Sequence, residues 1–395
     1  MDKKQLILLF IIVNIIMIAG SGMIPLLPVR IIQLGASEAV SGYFMALAFL
    51  SISLAFFFTG WLANKTQHKR LVIGLSGAVF IPVMGLMSQA KTVTLFAILT
   101  TITWFLAGIA WAMSVVIAGL QAKEQERGKV FGILGLNVGI GSLVGGLLIG
   151  FLVNKWGYET MFLVMAVFML AWVIAGLLLK EPVQANVPDV PPESSQPVGI
   201  IATSPPQKVG DTPGLGRSFY LLFFASIIIS ITIFECTLIR SLLMDRLKFS
   251  AMAISSTAVI AGIVSIPATL LSGWLSDRLG RRLFILFSYF FGIIGVVLLL
   301  TSTALWHFWL VITLGTISGT IGTAVNPAYT ADLTSERNRG LGMSMISTAG
   351  NLGATIGFGM TGVAIQHIGL NPTILIGAVL PLISIALLMG IGKRR

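Results

Sequence analysis

Two stretches decide the fold: GWLANKTQHK at 60–69 and GWLSDRLGRR at 273–282, which lie 213 residues apart. Each follows a long apolar run and packs basic residues into a few positions. A chain that writes the same basic turn twice at this distance is built from two similar halves. The sequence between and around the two copies supports that reading.

The solvent of this chain is mostly hydrocarbon. Of its 395 residues 56% are hydrophobic and only 10% charged, with a mean hydropathy of +0.97. A soluble domain carries about a quarter charged residues, so charge this sparse cannot cover a water-facing surface. The formal net charge of +11 then reflects Lys and Arg held on the cytoplasmic side of a bilayer, not a nucleic-acid partner. The lone cysteine, Cys236, excludes an internal disulfide and a cysteine-based metal site. No cofactor motif is present, and no metal set is expected.

A helix needs about 20 mostly apolar residues to cross the hydrocarbon. Read on that ruler, the chain predicts twelve spans at 5–28, 39–63, 71–89, 93–119, 130–153, 160–179, 218–243, 250–275, 283–302, 304–330, 340–364 and 371–391. The first resembles a signal peptide but is too long and lacks a small-residue cleavage site, so it reads as a retained span. Continuous apolar runs without two-residue alternation exclude a transmembrane β-barrel. The interval 180–217 holds eight of the fifteen prolines and reads as a cytoplasmic linker. The expected architecture is all-α, with six-helix bundles at 1–179 and 218–395 around that linker.

Orientation follows from the basic residues. With the N-terminus inside, nineteen of the twenty-five Lys and Arg fall on the cytoplasmic side. Six remain: Arg30, Lys91, Lys155, Arg240, Arg246 and Lys248. Both termini are then cytoplasmic and the membrane is the cell membrane. Further positions repeat at an offset of 212: Gly128 with Gly340, Gly141 with Gly353, Gly145 with Gly357, and Gly157 with Gly369. Such parallel repeats are related by an axis along the membrane normal.

On these residues the chain resembles a major facilitator superfamily transporter over essentially its whole length. That family's loop motif, G-x-x-x-D-R/K-x-G-R-R/K, is matched by Gly273, Asp277, Arg278, Gly280, Arg281 and Arg282. The first copy keeps Gly60, Lys65 and Lys69, with Asn64 where the acid belongs. The glycine allows close helix approach, the acid suits a helix N-terminus, and the arginines suit hydrogen bonds across the bundle or to lipid phosphate. A plain basic stop-transfer cluster is the simpler alternative.

The resemblance extends to the twelve-span drug–proton antiporter group. That group carries G-P-x-x-G-G in the fifth span. Here GIGSLVGG keeps Gly141, Gly145 and Gly146, with Ser142 at the proline position. PLLPVRIIQLG at 25–35 resembles the group's first-span ending, with Arg30 in place of an aromatic. In the fourth span Trp104 stands four residues before Gly108, where that group usually has an arginine.

An ionisable residue inside hydrocarbon is a functional candidate by default. Glu235, in SIIISITIFECTLIRSLLM, lies 17 residues into the seventh span, about 25 Å along the helix. Two roles are open to it: a proton-coupling or substrate group, or a structural ion pair with Arg240. Arg30 and Arg240 end equivalent spans and suit either an anionic substrate or the lipid headgroups. Asp332, Glu336, Arg337 and Arg339 form an expected cytoplasmic network. Asn14 and Asn351, with Asn137 and Asn326, are cavity-lining or interhelical amides. Trp104 and Trp111 share a face of the fourth span, lining a cavity or anchoring packing. His307 and His367 fall in outer loops and are not expected to relay protons.

The reading is a secondary transporter working by alternating access as a monomer, exporting an apolar or amphiphilic small molecule in exchange for protons. Uptake of a small organic acid or sugar is the alternative. A transport-inactive receptor is a third class. An enzyme is not expected, since HExxH, CxxC, GxSxG and GxxxxGK[ST] are all missing.

Overall fold

The computed structural model describes residues 1–123, 126–181, 215–335 and 338–391. Most of the linker interval, together with Glu336, Arg337 and the C-terminal basic cluster 393–395, lies outside them. Thirteen α-helices follow one another: α1 (Lys3–Met23), α2 (Leu27–Gln33), α3 (Glu38–Lys65), α4 (Lys69–Met87), α5 (Val93–Gln121), α6 (Arg127–Phe168) and α7 (Leu170–Leu178) come first. Then come α8 (Arg217–Arg246), α9 (Ala251–Leu279), α10 (Arg281–Leu298), α11 (Leu305–Leu333), α12 (Arg339–Ile368) and α13 (Leu370–Met389).

Helices are the only open choice here, because lipid offers a backbone amide no partner. Ten of these stretches are long and apolar enough to cross a membrane. One of them, Arg127–Leu178, runs 52 residues and holds both the fifth and sixth expected spans. The eleventh expected span is present as α12, 30 residues long and rich in glycine. The first expected span, by contrast, is not one helix: Ile24–Leu26 form a turn, and the chain restarts as α2 with Pro28 in its first turn. Pro25 has no N–H to continue the α1 ladder.

Packing groups the described residues into two compact units. The first takes in the described residues of Met1–Ala36, Leu47–Val198 and Phe249–Gly262. Within it α1 lies along α6 and α4 along α5. Phe80 against Trp172 (5.2 Å) and Phe96 against Phe162 (5.9 Å) fill its interior. The second takes in the described residues of Ser37–Ala46, Gly199–Lys248 and Ile263–Arg395. Here α8 lies along α12 and α13, and α10 along α11. Leu222, Ala225, Ile229, Ile285, Tyr289, Ile321 and Leu388 form its core.

The 212-residue repeat is realised in backbone geometry. Gly157 (φ 79°, ψ 175°) bends the fifth span into the sixth, and Gly369 (φ 85°, ψ 172°) does the same between α12 and α13. Glycine enters this region at no steric cost. The seams repeat too. A Cβ on Gly145 would fall on the Ile18 carbonyl of α1, and one on Gly357 would lie 2.7 Å from the Ile231 carbonyl of α8. Apolar side chains face outward, as in Leu270 at 67% exposure and Leu75 at 64%, while Asn137 and Glu235 are buried. That inversion suits a lipid surround.

Gly145→Val is expected to lower stability by about 1–3 kcal/mol by forcing α1 and α6 apart. Gly350→Ala, whose new methyl meets open space, should change little. A thiol-reactive dye reports unfolding directly, since the single cysteine, Cys236, is buried.

Candidate functional site

Glu235 sits on the inner face of α8 and is 3% exposed. Its carboxyl packs against Gly377 of α13, where an added Cβ would lie 2.5 Å from Oε1 and 2.6 Å from Oε2. Oε1 has no hydrogen-bond partner among the described residues. The pairing with Arg240 does not form: no salt bridge to either residue occurs among the described residues, and the Arg240 Nε is itself buried without a hydrogen bond. Five residues of helix turn the two side chains apart by well over a quarter-turn. One helix thus carries a buried acid and a buried base, each without a counter-ion among the described residues.

The other sequence candidates fall apart from this pair. The Arg30 guanidinium lies over the Tyr158 ring at 5.1 Å, a cation–π contact to the residue after the Gly157 bend. Asn14 is half-buried on α1 with Nδ2 unpartnered. Both amide atoms of the fully buried Asn137 on α6 are also unpartnered. Asn326 donates to Ser226 Oγ at 3.0 Å. Asn351 is half-buried on α12, its carbonyl accepting from Thr355 at 3.0 Å. Trp104 and Trp111 anchor packing: they pair with Phe49 (5.1 Å) and Phe56 (5.4 Å) of α3. The step of seven on both helices places the two pairs along one seam. His307 accepts from the backbone N–H groups of Thr303 and Ala304 at 3.1 Å each, closing the start of α11.

The fifth-span glycines serve two contacts at once. Gly141 and Gly145 face Met17 and Ile18 of α1, while Gly146 faces Ser255 and Val259 at the start of α9. Ser142 donates its Oγ to the Ala258 carbonyl at 2.8 Å. A proline at position 142 would have no such donor.

In the full loop motif Arg281 is the hub. Its Nη1 donates to Asp332 Oδ2 (2.8 Å) and to the Ala328 carbonyl (2.7 Å), and its Nη2 reaches Asp277 Oδ1 at 3.4 Å. Gly280 (φ 90°) makes the turn. Two expectations need correction. Gly273 has open space where a Cβ would be, so it brings no helices together. Asp277 lies in the last turn of α9, not at a helix N-terminus, and is held by Arg281 instead of a dipole. Asp332 likewise pairs with Arg281, while Glu336 and Arg337 of the expected network lie outside the described residues.

With this geometry in view, the family model described as Major Facilitator Superfamily matches residues 9–327 and 220–394. The chain belongs to the major facilitator superfamily. It is therefore a member of a family of transporters, not of enzymes. Among curated proteins it is 28% identical over 274 residues to multidrug resistance protein MdtG of Klebsiella pneumoniae (strain 342), covering 67% of this chain and 62% of that protein. It is 29% identical over 323 residues to MdtG of Salmonella arizonae (strain ATCC BAA-731 / CDC346-86 / RSK2980), covering 78% of this chain and 75% of the relative. The chain thus spans less than two thirds of the Klebsiella protein. Its fold is similar to the crystal structure of a bacterial homolog to the human lysosomal transporter Spinster, inward-facing and unoccupied, with a TM-score of 0.74. That match has 14% identity and covers 98% of this chain and 97% of the other.

Within the superfamily loop motif, the degraded first copy has its own solution. Asn64 is exposed, and Gly60 is half-buried. The acid comes from Glu181, beyond the end of the sixth span. It accepts from the backbone N–H groups of Lys69 (3.0 Å) and Arg70 (3.2 Å), at the N-terminus of α4. This is the dipole role expected of the motif acid, filled from 112 residues away in sequence. Lys69 itself is buried, and its Nζ donates to the Thr66 carbonyl at 2.9 Å.

Both copies share two further features. Lys65 lies over Trp61 (4.4 Å) and Arg278 over Trp274 (4.0 Å), each pair four residues apart and the two 213 apart. Arg70 donates to the Leu179 carbonyl (3.4 Å) and Arg282 to that of Met389 (2.8 Å), so in each half the third span clasps the end of the sixth. Sequence reasoning missed Glu181, Arg70 and Gly377. The 212 spacing of Arg70 and Arg282 was a usable signal; nothing local marked the other two.

Glu181→Gln leaves the α4 N-terminus with a weaker acceptor and no charge. It should cost about 1 kcal/mol, read as a lower midpoint in the Cys236 dye assay. Asn64→Ala should not move that midpoint.

Proposed function

We propose that the protein is a secondary transporter that exports an apolar or amphiphilic small molecule from the cell in exchange for protons. The observation that carries this reading is Glu235, a carboxyl buried in α8 without a counter-ion among the described residues. A buried acid with no paired cation can change its charge by taking up and losing a proton, and a group that does so within hydrocarbon can be coupled to a conformational cycle. Two curated relatives bear the name multidrug resistance protein, which fits export. The first-span ending at 25–35 and the glycines of the fifth span support the same subgroup.

In this reading the chain works as a monomer in the cell membrane, with both termini and the 180–217 linker cytoplasmic. The two six-span halves, 1–179 and 218–395, move against each other. Gly141, Gly145 and Gly146 hold the fifth span close to its neighbours. Arg281 and Glu181 tie the cytoplasmic ends within each half. Arg30, Asn14, Asn351 and Trp104 serve as supporting groups. Uptake of a small organic acid is the second reading, favoured by the buried and unpaired Nε of Arg240.

Purified protein in liposomes with an internal pH dye decides between them. Lipophilic cations should drive proton movement in the wild type, and Glu235→Gln should lose most of it while still binding substrate. Equal substrate movement in both proteins, without protons, would exclude exchange. Acid uptake abolished by Arg240→Gln would establish the second reading.

A further inference from the structure

The buried face of α13 is built from small and hydroxyl-bearing residues together with Ile374 and Leu388. Thr373, Gly377, Pro381 and Ser384 lie along it, at steps of four, four and three residues. Thr373 Oγ1 donates to the Gly369 carbonyl (2.7 Å) and Ser384 Oγ to the Ala225 carbonyl of α8 (3.1 Å). Both hydroxyls are therefore used. Between them the stripe opens at Gly377, and the Glu235 carboxyl fills the opening, 3% exposed and with Oε1 unpartnered. A side chain at 377 would occupy the same space.

Pro381 adds a second feature. It sits inside a continuous α13 and has no N–H. The carbonyl it would have bonded is that of the residue four positions earlier, Gly377. The carboxyl of Glu235 thus rests beside a residue whose carbonyl is denied its helical donor. A neutral Glu235 has an O–H to give to that carbonyl. An ionised Glu235 has only acceptors, and finds no donor there. No cation among the described residues pairs with the carboxyl. α13 carries no charged residue. The charged residues and histidines of α10, α11 and α12 (Arg281, Arg282, His307, Asp332, Arg339 and His367) lie in the end turns of those helices or just beyond, and the remaining ionisable groups are the phenols of Tyr289, buried midway along α10, and Tyr329 near the end of α11. Arg240 and Cys236 share α8, and Arg240 makes no ion pair among the described residues.

We propose that Gly377 and Pro381 form a seat that holds a proton on Glu235, with the acid O–H donating to the Gly377 carbonyl. Gly377 provides the room and Pro381 frees the acceptor. Both are positioning residues, and Glu235 is the proton-binding group. The proton site then lies at the seam of α8 with the last helix of its own half. This inference rests on the proton-exchange reading for its purpose, but its test does not need transport.

The test is infrared difference spectroscopy on the full-length protein in lipid, cycled between acid and alkaline buffer. The wild type should show the carbonyl band of a protonated carboxyl, and Glu235→Gln should lose it. Pro381→Ala returns an N–H to Gly377, and Gly377→Ala pushes the carboxyl out of its seat. Each should move the band to higher frequency, as a hydrogen bond from the acid is lost. Gly350→Ala, with open space around it, should leave the band in place. Should Pro381→Ala fail to fold, Gly377→Ala carries the same expectation. Absence of the band in the wild type, or a band unmoved in either folded variant, overturns the seat. A band that behaves as expected in a protein that moves no protons overturns the exchange reading and leaves the seat standing. Loss of proton movement in Glu235→Gln with an unmoved band in both seat variants does the reverse.

Discussion

Hydrocarbon gives a backbone amide nothing to bond and gives two apolar helices no hydrophobic reason to associate. The structure depends on how it meets that second difficulty. Helices must come close enough for dispersion and backbone contact to hold them, and bulky side chains prevent it. At the α1–α6 seam Gly145 meets the Ile18 carbonyl, and at the α8–α12 seam Gly357 meets that of Ile231. These two seams, related by the repeat, join the first and fifth expected spans of one half and the seventh and eleventh of the other. The aromatic pairs of α3 with α5 and the clasps at the ends of the third and sixth spans are arranged around them.

Several of the polar groups left inside have a local partner. Ser142 and Ser384 spend their hydroxyls on carbonyls of neighbouring helices. Arg30 finds an aromatic ring. Glu181 takes the free N–H groups that begin α4. Glu235 differs from all of these, because its environment offers room and no counter-charge. A group in that position is costly as an ion and useful as a proton carrier. The cost and the use have one origin, the low dielectric around α8.

The two copies of the loop motif show how a repeat drifts without losing its function in the fold. The second copy keeps its acid and holds it with Arg281 in the same turn. The first has lost the acid, and a carboxylate from the start of the linker interval occupies the N-terminus of α4 instead. What persists in both is a tryptophan carrying a cation four residues on, and an arginine bonded to the last turn of the sixth span. Those contacts are local or at fixed repeat distance, so they survive changes in individual motif letters.

Much of the fold was therefore legible from residues alone. The span lengths, the doubled string and the four glycine pairs at 212 depend only on helix rise, bilayer thickness and backbone freedom at glycine, all of which act within a few residues. Glu235 stood out for the same reason, as a carboxylate in an apolar run. The break at Pro25 was not visible to chain-local hydropathy, because proline costs nothing on a hydropathy ruler and a helix hydrogen bond in the structure. What only tertiary structure decided is partnership. That Arg240 leaves Glu235 unpaired, that Arg281 binds Asp332, that Glu181 replaces a motif acid and that Gly377 makes space for a carboxyl are all matters of contact, most of them between distant positions. Sequence order carries no distance across a seam, and only the packed helices supply it.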